Sequence, residues 1–416
     1  MVSASTPGRA RLQAMKVALF HPEFNAPRGA ENLILLFANA LQDAGLEVRL
    51  VCFGWDAETM GGRLRPFDTR RIPSPSISWR GRPDPRTLSS LRESIKGCAV
   101  AMAHNHPSNA YLGLCGFEGK ALWYCHEPHR SLFAEQANPA MALALAEGRL
   151  DRTSKMGQSI SGALRRSRWK RRLSPRHRGR ISLDRAGVAK LDAIWANSAA
   201  TAGAVARIYG REAEVFYPGV ELGDELPPPV PWKKPLRILI MGGFGGYKGL
   251  GGLLDGAARH LRENPGTLAL DIVGQGRELP LLKDLASRLG LGGSATFHGF
   301  LPPQELAALK LRCHGFAAMP GDEPFGLVFA EAAGAGLVLL GPDHGGPLEI
   351  LDHGRAGILA DPFEPSAIAH AFERFCSLDP SARESLRRAA FEGAKARFDA
   401  SDLGHRLVER LEFLLR

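Results

Sequence analysis

The chain has 416 residues, 53 Lys+Arg against 43 Asp+Glu, a formal charge of +10, 44% hydrophobic content and 23% charged content. That length exceeds one ordinary core and points to two or three domains, while average apolar and charged fractions exclude wholesale disorder and a membrane-spanning class. The longest apolar stretches, such as Leu327–Gly341, carry a Glu and fall short of the roughly 18 residues a spanning helix needs. Residues 1–14 contain Arg9 and Arg11 but no apolar core, so they read as a loose tail and not a secretory signal, with the fold starting at Met15. Six scattered cysteines without a C-x-x-C pair argue against a disulfide framework or zinc site and for a reducing cytoplasm.

Met15–Phe20 reads as a buried strand, followed by a loop with Pro22, Pro27 and Gly29. A helix then carries Leu33, Leu36, Phe37, Ala40 and Leu41 on one face and stops at Gly45, before a second strand over Leu46–Phe53. This is a βαβ opening. Residues 54–95, rich in Pro, Ser and Arg, give no clear period. Ala99–Ala103, Ala121–Cys125 and Ala193–Ala196 read as further strands, and Ser198 caps a helix that Gly210 closes. Five prolines in Leu226–Pro235 predict a stiff, exposed connection. Strands over 236–241, 268–273, 295–298, 316–319 and 337–340 then alternate with helices over 249–263, 278–289, 303–311 and 326–335. That rhythm means a parallel sheet wound on both faces. Helical patterns over 364–376, 382–397 and 401–415 end the chain.

Charge is concentrated in one place. Residues 149–185 hold 13 Lys/Arg and two Asp, a formal +11, so the rest of the chain sums to −1. The segment includes Arg165, Arg166, Arg168, Trp169, Lys170, Arg171 and Arg172. Two readings stand: a solvated basic face, or attraction to anionic lipid headgroups with Trp169 at the interface. No nucleic-acid-binding module accompanies the run.

The most informative stretch runs from Glu323 through Phe325, Gly326 and Leu327 to Glu331. It follows a strand and starts a helix near Gly326, where free N–H groups suit an anionic diphosphate or sugar hydroxyls. Met241-Gly-Gly-Phe-Gly-Gly-Tyr-Lys-Gly249 is a glycine-rich loop able to wrap phosphates, with Lys248 as a point charge. The Glu323–Glu331 spacing resembles the E-x7-E signature of retaining glycosyltransferases of family 4, which have the GT-B fold. The resemblance extends to Arg28-Gly29-Ala30-Glu31, Tyr124-Cys-His-Glu-Pro-His-Arg130, Trp195-Ala-Asn-Ser198, Tyr217-Pro-Gly-Val-Glu221, Gly274-Gln-Gly276, His298-Gly299 and Gly345-Gly-Pro-Leu-Glu349. The loop at His126-Glu127-Pro128 looks like that of polysaccharide-assembly, mannosyltransferase-like members.

The resemblance implies a catalytic set of His126, Lys248 and Glu323. It implies donor contacts at Gly29, Gly243, Gly245, Gly246, Lys248, Gly274, Phe325, Gly326, Leu327 and Glu331. Glu331 would take the ribose, Glu323 the transferred sugar and His126 the same sugar from the acceptor side. Glu127, His129 and Arg130 are acceptor candidates, with a plain surface role the alternative for the last two. One departure stands out: the family's arginine five residues before the lysine is here Gly243. No Asp-x-Asp follows a strand, so no metal is expected, and His104 and His106 read as loop-lining.

The expected architecture is α/β, GT-B, with two Rossmann-like domains facing across a cleft and C-terminal helices packing back toward the N-terminal domain. Its parts are an acceptor-side domain over 15–225 with the basic segment 149–185, a linker over 226–235, a nucleotide-sugar-binding domain over 236–398 and a terminal helix over 399–416. The implied function is retaining transfer of a hexose, mannose from GDP-mannose favoured, from a nucleoside-diphosphate sugar to a saccharide or lipid-linked glycan in surface polysaccharide assembly. No cofactor and no nucleic-acid partner is expected; the location is cytoplasmic, with the basic segment on the inner membrane face as its peripheral variant. Alternatives are a UDP-hexose (glucose or N-acetylhexosamine) transferase and a nucleotide-sugar binder that has lost turnover, which Gly243 would permit. A sugar phosphorylase would need a pyridoxal-bearing lysine, for which there is no motif.

Overall fold

The computed structural model describes residues 15–26, 29–76, 81–148, 162, 164, 169–170, 174–245 and 248–416. The chain divides into two compact units. The first comprises Met1–Ala137, Arg166–Gly219 and Ala400–Arg416; the second comprises Asn138–Arg165 and Val220–Asp399.

The strands of the first unit are β1 (Lys16–Phe20), β2 (Glu23–Phe24), β3 (Glu47–Cys52), β4 (Gly54–Trp55), β5 (Asp68–Arg71), β6 (Val100–His104), β7 (Lys120–Cys125), β8 (Ala193–Ala196) and β9 (Glu214–Val215). Seven of them form a parallel sheet in the order β5-β3-β1-β6-β7-β8-β9, and β2 pairs with β4. Helices α1 (Gly29–Asp43), α2 (Pro85–Ser94), α3 (Ser108–Leu114), α4 (Arg130–Ala137), α5 (Pro175–Val188) and α6 (Ala199–Tyr209) complete its crossovers. β1 and β6 are buried almost throughout because both sheet faces are covered, which is why they read as continuous apolar runs. Ser198 accepts the N–H of Thr201 at the head of α6, as its position before the helix predicts.

The region without a clear period, 54–95, contains short β4, β5 and α2. Only α2 carries strong start signals: Asp84 accepts from the N–H of Arg86, with Pro85 at the first helical position. β5 (Asp-Thr-Arg-Arg) is an edge strand with mostly exposed side chains, so no apolar alternation marks it.

The second unit holds β10 (Leu236–Met241), β11 (Leu268–Val273), β12 (Ala295–Gly299), β13 (Gly315–Ala317), β14 (Val338–Pro342) and β15 (Ile358–Ala360), in the order β12-β11-β10-β13-β14-β15. All pairs are parallel. Its helices are α7 (Leu250–Glu263), α8 (Leu279–Arg288), α9 (Pro303–Lys310), α10 (Leu327–Gly334), α11 (Pro365–Ser377) and α12 (Pro380–Phe398). A last helix, α13 (Leu403–Leu415), belongs to the first unit and buries Leu403, Leu407 and Leu411 in the same core as Leu33, Phe37 and Leu41 of α1. The chain therefore returns to its first unit after completing its second.

The proline-rich segment 226–235 is mostly exposed, with none of its residues buried, yet it is tied down at three points. The Pro227 carbonyl accepts from Arg387, the Pro231 carbonyl is 3.0 Å from His314 Nε2, and Trp232 packs on the second core under the Arg383 guanidinium. Proline removes N–H donors but leaves carbonyls, and here the Arg387 guanidinium and the His314 ring use them.

Candidate functional site

In the second unit, the C-terminal ends of the strands carry the signature residues. After β10 the chain turns through Gly242–Gly245 and reaches Lys248, whose N–H donates to the Gly245 carbonyl at 2.8 Å. Gly249 then heads α7 with φ +71°, and a Cβ there would lie 1.7 Å from the Met319 carbonyl oxygen. No residue with a side chain fits, so the glycine holds the loop against the end of β13. Gly274 packs equally closely on Gly242 and donates to the Gly299 carbonyl at 2.8 Å, so it buttresses the loop. Gly243 and Gly245 face open space. Gly246 lies outside the described residues.

Gly326 occupies the left-handed region, φ +96°, and caps α10 with no side-chain hydrogen bond. The Phe329 N–H donates to the Gly326 carbonyl at 2.8 Å, and the aligned peptide dipoles make this helix N-terminus electropositive. Phe325 just before it is buried against Phe398, and Leu327 opens the helix half-buried. The Glu323 carbonyl accepts from the N–H of Gly346 at 3.0 Å, which pins the loop that carries its carboxylate. Lys248 Nζ donates to Glu323 Oε2 at 2.6 Å, so the two candidate catalytic groups of this unit form one ion pair. Glu331, one turn into α10, accepts from Lys310 Nζ of α9 at 3.2 Å. Lys310 was not legible as a partner, because its contact depends on how α9 packs. The role of Gly345-Gly346 in holding Glu323 was equally invisible, although the motif itself was noticed.

The first-unit candidates have a different character. His104 is the last residue of β6 and fully buried, so it is not loop-lining as expected. Its Nδ1 lies 3.0 Å from His126 Nε2, and its own Nε2 is buried without a partner. An unpaired lone pair is better tolerated in the interior than an unpaired N–H. The proton of that pair therefore sits on His104 Nδ1, and His126 carries its own on Nδ1. Burial, followed by the charge of His21, lowers the His126 pKa to about 3, and burial lowers His21 to about 4. Burial likewise holds His104 well below the usual histidine range. All three are neutral at pH 7.

A signal for this cluster exists in the sequence. β1, β6 and β7 are adjacent, and His21, His104 and His126 stand at or just beyond their C-terminal ends, where parallel sheets bind ligands. Asn197 Nδ2 donates to the His126 carbonyl at 2.8 Å, explaining the asparagine of the Trp195–Ser198 motif. Glu127 and Arg130 form an ion pair at 2.6 Å, and His129 Nδ1 is 3.0 Å from Ser131 Oγ. Gly29 is the first residue of α1, with residues 27–28 before it outside the described residues. Among the described residues no group of three or more His, Cys, Asp or Glu side chains is arranged to hold a metal, and no helix is long and apolar enough to cross a membrane.

Comparison with known proteins matches both halves. Residues 27–224 match the family described as Glycosyltransferase Family 4, and residues 224–393 match Glycosyl transferases group 1. The chain is similar to glycogen synthase of Mycobacterium tuberculosis, 32% identical over 165 residues covering 40% of this chain and 39% of the relative. It is also similar to D-inositol 3-phosphate glycosyltransferase of a Nocardioides species, 30% identical over 247 residues covering 53% and 54%. The match thus spans about half, or less, of the length of these curated relatives. Among solved structures, Anabaena HepE in complex with UDP and glucose superposes with a TM-score of 0.68 at 19% identity, covering 96% of this chain and 100% of that one. Two consecutive family matches and a shared two-sheet α/β architecture lead to one conclusion: the chain belongs to the group 1, family 4 glycosyltransferases of the GT-B fold.

Proposed function

We propose that this chain transfers a hexosyl residue from a nucleoside-diphosphate sugar to a saccharide or lipid-linked glycan, with retention of configuration. The observation that carries the reading is the pairing of Lys248 with Glu323 beside a helix headed by Gly326 and followed by Glu331. In this reading the diphosphate lies at the α10 N-terminus and draws the Lys248 ammonium, whose charge offsets the negative charge growing on the leaving phosphate. Glu331 accepts from the ribose hydroxyls and Glu323 from the transferred sugar. His126, neutral and protonated on Nδ1, donates to a sugar hydroxyl and does not act as a proton relay. Departure of the nucleotide and attack by the acceptor occur on one face of the sugar, and the leaving phosphate takes the acceptor proton. No enzyme nucleophile is assigned.

The His126-Glu127-Pro128 loop supports mannose from GDP-mannose. A second reading, a UDP-hexose donor, is favoured by the UDP and glucose bound to the Anabaena structure of the same fold. A panel of GDP-mannose, UDP-glucose and UDP-N-acetylglucosamine separates them: the true donor raises thermal stability and releases its nucleotide when acceptor is supplied. Stabilisation by a nucleotide sugar without any nucleotide release, with or without acceptors, would mean binding without turnover.

The basic segment supports attachment to an anionic membrane surface on the cytoplasmic side. Most of it lies outside the described residues, but Trp169 is 62% exposed, as an interfacial anchor must be. Flotation with acidic liposomes should weaken as salt rises. Salt-independent flotation, or none, would return the segment to a solvated face.

A further inference from the structure

A cluster formed by α3, α5, α6 and the loops that precede α3 and α4 in the first unit is not used by the donor chemistry. Asp184 of α5 is completely buried, and three donors converge on it: His106 Nδ1 at 2.9 Å, Asn109 Nδ2 at 3.0 Å and the Tyr209 hydroxyl at 2.7 Å. Its carboxylate is therefore saturated. Arg180, one turn earlier on α5, has no ion pair among the described residues, and its Nε is buried without a partner. Arg180 as a whole is part-exposed, but a guanidinium N–H buried without an acceptor is costly. Beside it, the His106 ring packs edge-on against His129 with centroids 4.7 Å apart, and His106 Nε2 is also buried and unpartnered. Asp184 holds His106 through Nδ1, which leaves Nε2 facing the opposite way.

We propose that Arg180, His106 and His129 form a binding site for a phosphate group carried by the acceptor. The guanidinium supplies the permanent charge, and the two imidazoles supply ring N–H donors. The link to the acceptor rests on the proposed glycosyl transfer; the anion site itself does not. The electrostatics agree: burial first, then His106 and Arg180, lower the His129 pKa to about 4, while Asp184 opposes them. That puts the Arg180 charge within electrostatic reach of the His129 ring. The same phosphate chemistry is offered by a soluble phosphorylated sugar and by a lipid headgroup.

The test uses the full chain, with inorganic phosphate as one probe and phosphatidylcholine vesicles with or without phosphatidic acid as the other. Histidine NMR should show saturable phosphate binding that raises the His129 pKa from about 4 toward neutrality. Arg180→Gln removes no ion pair among the described residues, so it should fold. It should weaken phosphate binding about tenfold or more and raise the His129 pKa even without phosphate. Arg180→Lys should restore part of the affinity. If the source is a headgroup, phosphatidic acid vesicles will float the parent better than Arg180→Gln; if it is soluble, only inorganic phosphate will respond to the substitution. Equal responses of parent and Arg180→Gln to both probes, or no response to either, overturn the site. UDP and GDP binding, measured separately in both proteins, should be unchanged by the substitution; its absence from the parent would remove the glycosyl-transfer reading and leave the phosphate result standing.

Discussion

The two units present opposite electrostatic styles at the ends of their parallel strands. In the second, the candidate groups are ions held in pairs and partly wet: Lys248 is 48% exposed and Glu331 40%. In the first, the part-exposed Glu127–Arg130 pair stands beside imidazoles stripped of charge by burial, His21, His104 and His126 among them. A wet ion pair contributes little to stability, so Lys248 can leave Glu323 for a diphosphate at small cost. A buried imidazole cannot change its charge so cheaply. The strand ends of one unit thus suit a ligand that brings charge and the histidine cluster of the other suits neutral hydroxyls, with the Glu127–Arg130 pair and the Arg180 cluster as exceptions within it.

The contrast can be broken by substitution and by pH, beginning with the largest effect. Gly249→Ala drives a methyl into the Met319 carbonyl at a residue with φ +71° and should destabilise the second unit by more than about 4 kcal/mol. Denaturant unfolding and loss of nucleotide binding check it; wild-type stability would mean that the loop does not rest on β13.

Acidification should act on the first unit. His21 and His126 have folded pKa values near 4 and 3, against 6.5 in the unfolded chain. Between those limits the unfolded state binds more protons, so stability is full above about pH 6.5 and falls as pH drops toward the folded values. The loss between pH 6.5 and 4 should be on the order of a few kcal/mol, and His126→Gln should flatten the curve. A pH-independent first unit would mean that these rings are already charged or wet.

Lys248→Ala should lower turnover about a hundredfold or more, and lower donor affinity less, because leaving-group charge peaks in the transition state. Gly243 faces open space, so Gly243→Arg can be accommodated and should restore part of that loss. Equal losses in affinity and turnover would make Lys248 a ground-state contact only. Glu331→Gln should weaken donor binding about tenfold, as calorimetry would read it; unchanged binding removes Glu331 from ribose recognition. The smallest effect sharpens the comparison: Gly245→Ala, with nothing within 4 Å of its Cβ and no positive φ, should change stability by no more than about 0.5 kcal/mol.

Much of the fold was legible because its signals are local. The buried β10 and β11 match their apolar runs residue for residue, and Ser198 and Gly210 bracket α6 as capping chemistry requires. Edge strand β5 and the three-residue β15 were missed because neither is long and apolar enough to announce itself. On the site, the helix start at Gly326 and its flanking glutamates could be read from spacing alone. Their partners could not: Lys248 finds Glu323 across 75 positions and Lys310 finds Glu331 across 21.

The sequence by itself determined the alternation of strands and helices, the helix ends and the glycine-rich turns, since period, caps and backbone freedom act within a few neighbouring residues. Only the tertiary structure decided which charges are paired, which histidines are neutral, and that Arg180 Nε has no partner among the described residues while Asp184 one turn away has three. Charge state depends on burial and on partners brought from distant strands and helices. Those distances are set by packing, and no local pattern encodes them.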